Sequence, residues 1–345
     1  MRRFLGCLLG LTLGLAPRVS VVLPAESTYR EPAFLENFYG VKIRGPHAWI
    51  VGYYGTVLHS ADRGASWEIQ RSGTKEALFQ LDFTSDEEAW ITGSYGTILH
   101  TQNGGRNWAP QPSGTQEHLF SLALTTSREG WVVGSRGTIL HTSDGGSSWL
   151  NRSIAEDIIL NRTFFISQKQ GWIVGEFGVI YHTRDGGKKW IKQKSPIEVS
   201  FVSGESRNLF GLIFPDSKGG WAFGLDGVIL KTQTGDQWGV INPNGASSGR
   251  ATTRHLFAAA HGDGKLWAVG ERGTVIVSQI GKENWRLSEF KFPPISLNGI
   301  DFSPDGFGLV VGNRGAIFRT VNGGRQWQRV RIAPAAPGKG IAQIQ

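Results

Sequence analysis

Trp131-Val132-Val133-Gly134-Ser135-Arg136-Gly137-Thr138-Ile139-Leu140-His141-Thr142-Ser143-Asp144-Gly145-Gly146-Ser147-Ser148-Trp149 is the clearest of seven copies of one pattern in this 345-residue chain. Its central glycine recurs at Gly52, Gly93, Gly134, Gly175, Gly224, Gly270 and Gly312, with gaps of 41, 41, 41, 49, 46 and 42 residues. Spacings of this size mark repeat architectures, in which each unit buries its apolar face only by stacking on a neighbour. All 13 tryptophans fall into two columns of the repeat. Trp49, Trp90, Trp131, Trp172, Trp221 and Trp267 open the units, with Leu309 in the seventh place. Trp67, Trp108, Trp149, Trp190, Trp238, Trp285 and Trp327 close them. The tryptophans are therefore repeat core, and few are free to serve a site.

The third unit contains four short apolar or alternating runs, at Leu119 to Leu124, Gly130 to Gly134, Thr138 to Thr142 and Trp149 to Ser153, which we letter A to D. Their β-branched and aromatic content and glycine-rich separators read as strands, and none has helical length or spacing. Hydrophobic content of 39% with 48 glycines and one methionine agrees. The expected fold is all-β: a seven-bladed propeller over residues 38–332 with four antiparallel strands per blade. A parallel β-helix, the rival arrangement, calls for shorter coils and ladders of identical residues. No segment remains at the C-terminus to complete the first blade. Closure is thus expected from packing of the first blade on the seventh, with residues 24–36 as a latch.

The start, Met1-Arg2-Arg3-Phe4-Leu5-Gly6 through Leu15-Ala16, has the basic and short apolar regions of a secretory signal peptide. Residues 1–25 are read as that signal, with cleavage near Ala16 or Ala25. Residues 26–37 are read as an N-terminal extension and 333–345 as a flexible C-terminal tail. The single cysteine, Cys7, lies inside the signal, so no disulfide framework or thiolate site is expected. Without Arg2, Arg3 and Arg18 the formal charge falls from +8 to +5. That mild excess suits an acidic partner or an anionic surface and is too dispersed to argue for nucleic acid.

Strand alternation decides which loops can share a site. The A–B and C–D turns lie on one face, and the B–C and D–A turns on the other, where ring closure gathers all seven around the channel mouth. In the C–D turns, Asp144, Asp185, Asn103 and Asn322 stand before paired glycines. A short acceptor there can take backbone N–H groups of its own turn, a structural role. The fifth and sixth copies have decayed, and Gln279-Ile280-Gly281-Lys282-Glu283 has no acceptor in the matching place. The B–C turns hold Tyr54, Tyr95, Arg136, Phe177, Asp226, Arg272 and Arg314 in one column. Arginines and aromatics are what protein interfaces enrich. Arg162, Arg207, Arg250 and Arg254 are assigned to D–A loops of the same face, two of them long (Ser195 to Asn208 and Asn242 to His255). The candidate partner-binding set is therefore Arg136, Arg162, Arg207, Arg250, Arg254, Arg272, Arg314, Tyr54 and Tyr95. His59, His100, His141 and His182 are one per blade in one column, so they read as structural rather than as a metal set. No catalytic constellation, metal site or cofactor site is recognised.

Seven repeats of the form W-x-V-G-x-x-G-T-I-L-H-T-x-D-G-G-x-x-W behind a signal peptide resemble the photosystem II assembly and stability factor family. The resemblance covers residues 34 to 332. It implies a non-enzymatic lumenal propeller that binds a newly made photosystem II reaction-centre core subunit through an arginine-rich face. It further implies an exported protein of the thylakoid lumen or periplasm, peripheral to the membrane through its client, with no cofactor. The alternative is a secreted glycan-binding or glycan-cleaving, sialidase-like propeller, because the C–D turn alone also occurs in glycosidases.

Overall fold

The computed structural model describes residues 36–199, 205, 207–216, 219–241, 251–332 and 341–342. The signal segment, nearly all of the N-terminal extension and Arg250 lie outside the described residues. Strands follow one another in chain order. Blade 1 is β1 (Phe38–Arg44), β2 (His47–Gly52), β3 (Thr56–Ser60) and β4 (Trp67–Arg71). Blade 2 is β5 (Leu78–Phe83), β6 (Ala89–Gly93), β7 (Ile98–Thr101) and β8 (Ala109–Gln111). Blade 3 is β9 (Leu119–Leu124), β10 (Gly130–Gly134), β11 (Ile139–Thr142) and β12 (Leu150–Asn151). Blade 4 is β13 (Leu160–Phe165), β14 (Gly171–Gly175), β15 (Ile180–Thr183) and β16 (Ile191–Gln193). Blade 5 is β17 (Leu209–Asp216), β18 (Gly219–Gly224), β19 (Ile229–Thr232) and β20 (Gly239–Val240). Blade 6 is β21 (Leu256–Gly262), β22 (Lys265–Gly270), β23 (Val275–Gln279) and β24 (Arg286–Leu287). Blade 7 is β25 (Leu297–Phe302), β26 (Gly308–Gly312), β27 (Ala316–Thr320) and β28 (Gln328–Val330). Each blade is an antiparallel meander, so the chain is a seven-bladed β-propeller. Among the described residues there is no α-helix.

The A strands form the inner ring, each packed against the A strands of both neighbours, β1 against β25 included. Between blades lie seven apolar clusters, one per interface. The cluster between blades 7 and 1 joins Phe38, Ile50, Leu58 and Trp67 to Phe307, Leu309, Val311 and Ile317. All eight are at most 2% exposed. At about 1.5–3 kcal/mol per large apolar side chain buried, the seam is as firmly packed as the others. The four strands of blade 1 all come from the N-terminal end of the chain, but the expectation that nothing at the C-terminus joins this blade does not hold. Within the segment read as a tail, β29 (Ile341–Ala342) pairs antiparallel with Trp67 and Glu68, adding a strand to the outer edge of blade 1.

The central glycines are explained by close approach rather than by φ. Gly52 is extended, at φ −165°. A Cβ on Gly52, Gly134 or Gly270 would stand 2.4, 2.0 or 1.8 Å from the carbonyl oxygen of Asn37, His118 or His255. That carbonyl, just before the A strand, accepts the N–H of the residue after the glycine in all seven blades: Tyr53, Ser94, Ser135, Glu176, Leu225, Glu271 and Asn313, at 2.8–3.0 Å. The glycine thus lets each D–A loop dock onto its own B–C turn. We expect Gly134→Ala to lose about 3 kcal/mol or more, because its clash is with backbone. Gly239→Ala, where a Cβ meets nothing within 4 Å, should leave thermal unfolding nearly unchanged. Equal midpoints for the two variants would refute close approach as the reason for the repeat glycine.

Candidate functional site

Two faces were read from the repeat, and their chemistry differs. On the C–D face the turns are self-contained. Asp144 accepts from the Thr142 hydroxyl at 2.8 Å, from Ser148 N–H at 2.9 Å and from the Ser148 hydroxyl at 2.6 Å, while Gly146 N–H reaches Thr142 Oγ1 at 2.8 Å. Asp185, Asn103 and Asn322 accept the backbone N–H four residues on in the same way. The sixth turn corrects the sequence reading. Asn284, one place beyond the matching stretch, supplies the acceptor to Gln279 N–H and the Ser278 hydroxyl, both at 3.1 Å. Glutamines of strand D, which the repeat reading passed over, clasp the next blade: Gln70 donates to Gly104 C=O, Gln111 to Gly145 C=O and Gln193 to Gly235 C=O.

The histidine column is structural. His59, His100, His141 and His182 stack on Trp49, Trp90, Trp131 and Trp172 with ring centroids 4.7, 4.2, 4.1 and 4.5 Å apart. Lys231 takes the place over Trp221 at 5.5 Å. Among the described residues, no group of three or more His, Cys, Asp or Glu is placed to hold a metal.

The opposite face is built differently. Each B–C connection is a tight turn, and in blade 3 Thr138 N–H closes it on Ser135 C=O at 3.0 Å. Both central residues are left-handed. Gly55, Gly96, Gly137, Gly178, Gly227, Gly273 and Gly315 fill the second place, and Tyr54, Tyr95, Arg136, Phe177, Asp226, Arg272 and Arg314 fill the first at φ 50–57°. Such turns favour Asn-Gly, Asp-Gly or Gly-Gly, which Asp226-Gly227 satisfies. A side chain other than Gly, Asn or Asp there costs about 1–2 kcal/mol. The ring therefore holds bulky residues in strained positions around one mouth.

Neighbouring blades are welded at the same level. The second-place glycine donates to the loop entering the next blade, Gly55 to Glu76 C=O at 2.9 Å, Gly96 to Glu117 at 2.8 Å and Gly137 to Ile158 at 2.7 Å. Gly315 of blade 7 donates to Glu36 C=O at 2.7 Å, and Arg314 N–H reaches Asn37 Oδ1 at 3.1 Å. The ring thus closes with the contact that joins blade 1 to 2, 2 to 3, 3 to 4 and 6 to 7. Of the expected latch, residue 36 takes part, and residues 24–35 lie outside the described residues.

The predicted rim residues divide. Tyr54 and Tyr95 are 54% and 60% exposed. Tyr54 carries the Lys75 ammonium 5.8 Å from its ring centroid, and Tyr95 packs on His118. The Arg136 side chain is 70% exposed and sits 3.7 Å from Glu117 and 3.9 Å from Asp157. Arg254 lies 4.0 Å from Glu271, and Arg207 pairs with Glu205 at 3.2 Å. Arg272 and Arg314 are exposed and, among the described residues, make no ion pair. Arg162 departs from the reading. It belongs to strand β13, not to a loop, and its side chain enters the central channel and donates to Gln80 Oε1 of blade 2 at 3.2 Å.

Sequence reading missed a second ring. Every A strand shifts register after its first residue. Such bulges re-aim a side chain. The bulged residues are Tyr39, Phe79, Phe120, Asn161, Phe210, Phe257 and Asn298. Tyr39, Phe79 and Phe120 stack in sequence at 5.6 and 5.2 Å, and Phe210 meets Phe257 at 5.6 Å. Asn161 and Asn298 instead donate to Leu209 C=O and Phe38 C=O of the next blade. The recurring Leu-Phe pairs at 78, 119, 209 and 256 were the available signal. The mouth therefore carries a half-buried aromatic collar inside an outer rim of arginine and tyrosine.

A family model described as Photosynthesis system II assembly factor YCF48 matches residues 23–114 and 111–198, just over half of the chain. The chain belongs to this family. No curated protein matches it in sequence. Among solved structures it is similar to YCF48 from Cyanidioschyzon merolae, at 18% identity and TM-score 0.66 over 86% of this chain and 98% of that one. It is similar to YCF48 bound to D1 peptide, at 20% identity and TM-score 0.61 over 81% and 95%. It also resembles an ancestral GH74 enzyme, at 13% identity and TM-score 0.58 over 90% of this chain and 46% of that one. At these identities the likeness carries the fold.

Two outcomes follow from the turns. Hydrogen bonds from Ser148 and Thr142 hold the Asp144 carboxyl down at about 2. Its contribution to stability is present above the ordinary carboxylate value and is lost as pH falls through about 2. The gap in thermal midpoint between wild type and Asp144→Ala should be full at pH 6 and close toward pH 2; a gap that persists at pH 2 would assign the stabilisation elsewhere. For the rim, Arg136→Asn should raise stability by about 1 kcal/mol by relieving the left-handed strain, since the exposed ion pairs it gives up contribute little. A lower midpoint would mean that Arg136 is held there by packing.

Proposed function

We propose that the B–C face of this propeller binds a segment of a photosystem II reaction-centre core subunit, the D1 precursor, and that the protein is a non-enzymatic assembly factor. The observation that carries the reading is the rim itself. Six of seven equivalent turns hold strained residues, and three of these are arginines and two are exposed tyrosines. Strain kept at several equivalent positions points to function, since the fold would be more stable without it. Family membership supports the client class, and the relative bound to D1 peptide supports the subunit. On this reading Arg136, Arg207, Arg250, Arg254, Arg272, Arg314, Tyr54 and Tyr95 form the client surface. The planar arginine fork suits carboxylates and carbonyls, and the tyrosines supply amphipathic contact area. The basic, apolar start of the chain supports export to the thylakoid lumen or periplasm, with membrane association through the client.

Affinity for a D1 peptide should fall as salt rises, because exposed charges are screened within about 8 Å at physiological ionic strength. Arg136→Glu, Arg272→Glu and Arg314→Glu combined should abolish peptide capture in a calorimetric titration while leaving the thermal midpoint nearly unchanged. Wild-type affinity in the triple variant would sink the arginine-rim reading and send the search to the C–D face.

A further inference from the structure

The central channel is not an empty pore. A cavity of about 260 Å³ runs along the A strands, from Tyr39 and Asn298 at the collar to His261 and Phe302 at the far end. Its wall is asymmetric. Blades 5 and 6 offer Leu212, Ile213, Ala258 and Ala260, whereas blades 7, 1 and 4 place Asp301, Lys42 and Arg162 inside, with Asp82 of blade 2 paired to Lys42. These charges are unequally satisfied. Asp82 accepts from Lys42 Nζ at 3.2 Å, from Phe83 N–H at 3.0 Å and from Leu124 N–H at 3.4 Å. Asp301 accepts from Ile43 N–H at 2.7 Å. The Arg162 guanidinium, with five N–H donors, makes one hydrogen bond, to neutral Gln80, and no ion pair among the described residues. Gln80 is itself tied to Leu122 N–H and C=O of blade 3, so it is a fixed post that cannot follow the arginine.

We infer that the channel below the aromatic collar is a carboxylate-binding site, with the Arg162 fork as its anchor. Donors pointing into a cavity favour an acceptor-bearing anion, and a planar fork suits a carboxylate best. The carboxylate comes either from the free end of an extended chain or from a small organic acid. The site is made of strands, not turns, and does not depend on the arginines of the rim.

The probes are sodium propionate, acetyl-trialanine with a free C-terminus, and its C-terminal amide. Each is titrated at constant ionic strength against the side-chain Nε–H signal of Arg162 in the protein. Propionate should give a saturable shift that chloride does not. Arg162→Gln should weaken propionate binding at least tenfold, measured calorimetrically. Arg162→Lys, which keeps the charge and loses the fork, should weaken it severalfold and serves if the glutamine variant misfolds. The free-acid peptide binding at least tenfold tighter than both propionate and the amide would identify a chain end as the ligand. Peptide no tighter than propionate would identify a small acid. A non-saturating shift, an equal response to chloride, or unchanged binding in the variant that folds would overturn the site.

Discussion

Everything at the mouth of this propeller depends on a carbonyl oxygen lying where a Cβ would otherwise be. Seven times, the carbonyl that precedes strand A approaches the glycine that ends strand B and accepts the next N–H at 2.8–3.0 Å. The contact pins each D–A loop beneath its own turn, forces the bulge at the second residue of strand A, and thereby aims the collar side chains. The same loops receive the N–H of the preceding blade's turn, at Glu36 for blade 1 and Glu76 for blade 2. Position, strain and ring closure at this face are therefore one device repeated. The C–D face is tied by a different one, in which side-chain oxygens of Asp144 and its counterparts bond within their own turns.

The repeat made the fold legible because two columns of tryptophan and one of glycine can only be satisfied by stacked four-stranded units. Blade number, strand order in the third unit and the structural role of the histidines were all readable from residue spacing. Local detail was not. Arg162 reads as a loop residue because the loop before blade 4 has no marked end in the sequence. Its bulge, one residue earlier at Asn161, turns the arginine into the channel. Asn284 was missed because it stands four residues past Ile280, which fills the place of Asp144, yet it still reaches Gln279 N–H. The collar was missed because Phe79 and Phe120 look like ordinary strand core until the register shift separates them from Leu78 and Leu119.

Function follows from an economy visible in the turns. A left-handed first position is best filled by asparagine, aspartate or glycine, yet tyrosine, arginine and phenylalanine occupy six of the seven here. The histidines pack on tryptophan, and the acids of the C–D turns bond within their own turns. On the rim, Arg272 and Arg314 are exposed and make no ion pair among the described residues. Aromatic and cationic groups are also unevenly spread: Tyr54 and Tyr95 mark blades 1 and 2, and Arg272 and Arg314 mark blades 6 and 7. Because blade 7 packs on blade 1, the two pairs are neighbours on the ring, and an extended client passing along it would meet cationic chemistry beside aromatic chemistry.

The central claim is that the client lies on the B–C face. Hydrogen–deuterium exchange of the protein with and without bound D1 peptide tests it most directly, because it needs no substitution. The account predicts slowed exchange at the turns around Tyr54, Tyr95, Arg136, Arg272 and Arg314, with the turns around Asp144 and Asp185 unchanged. Protection confined to the Asp144 and Asp185 turns would contradict it.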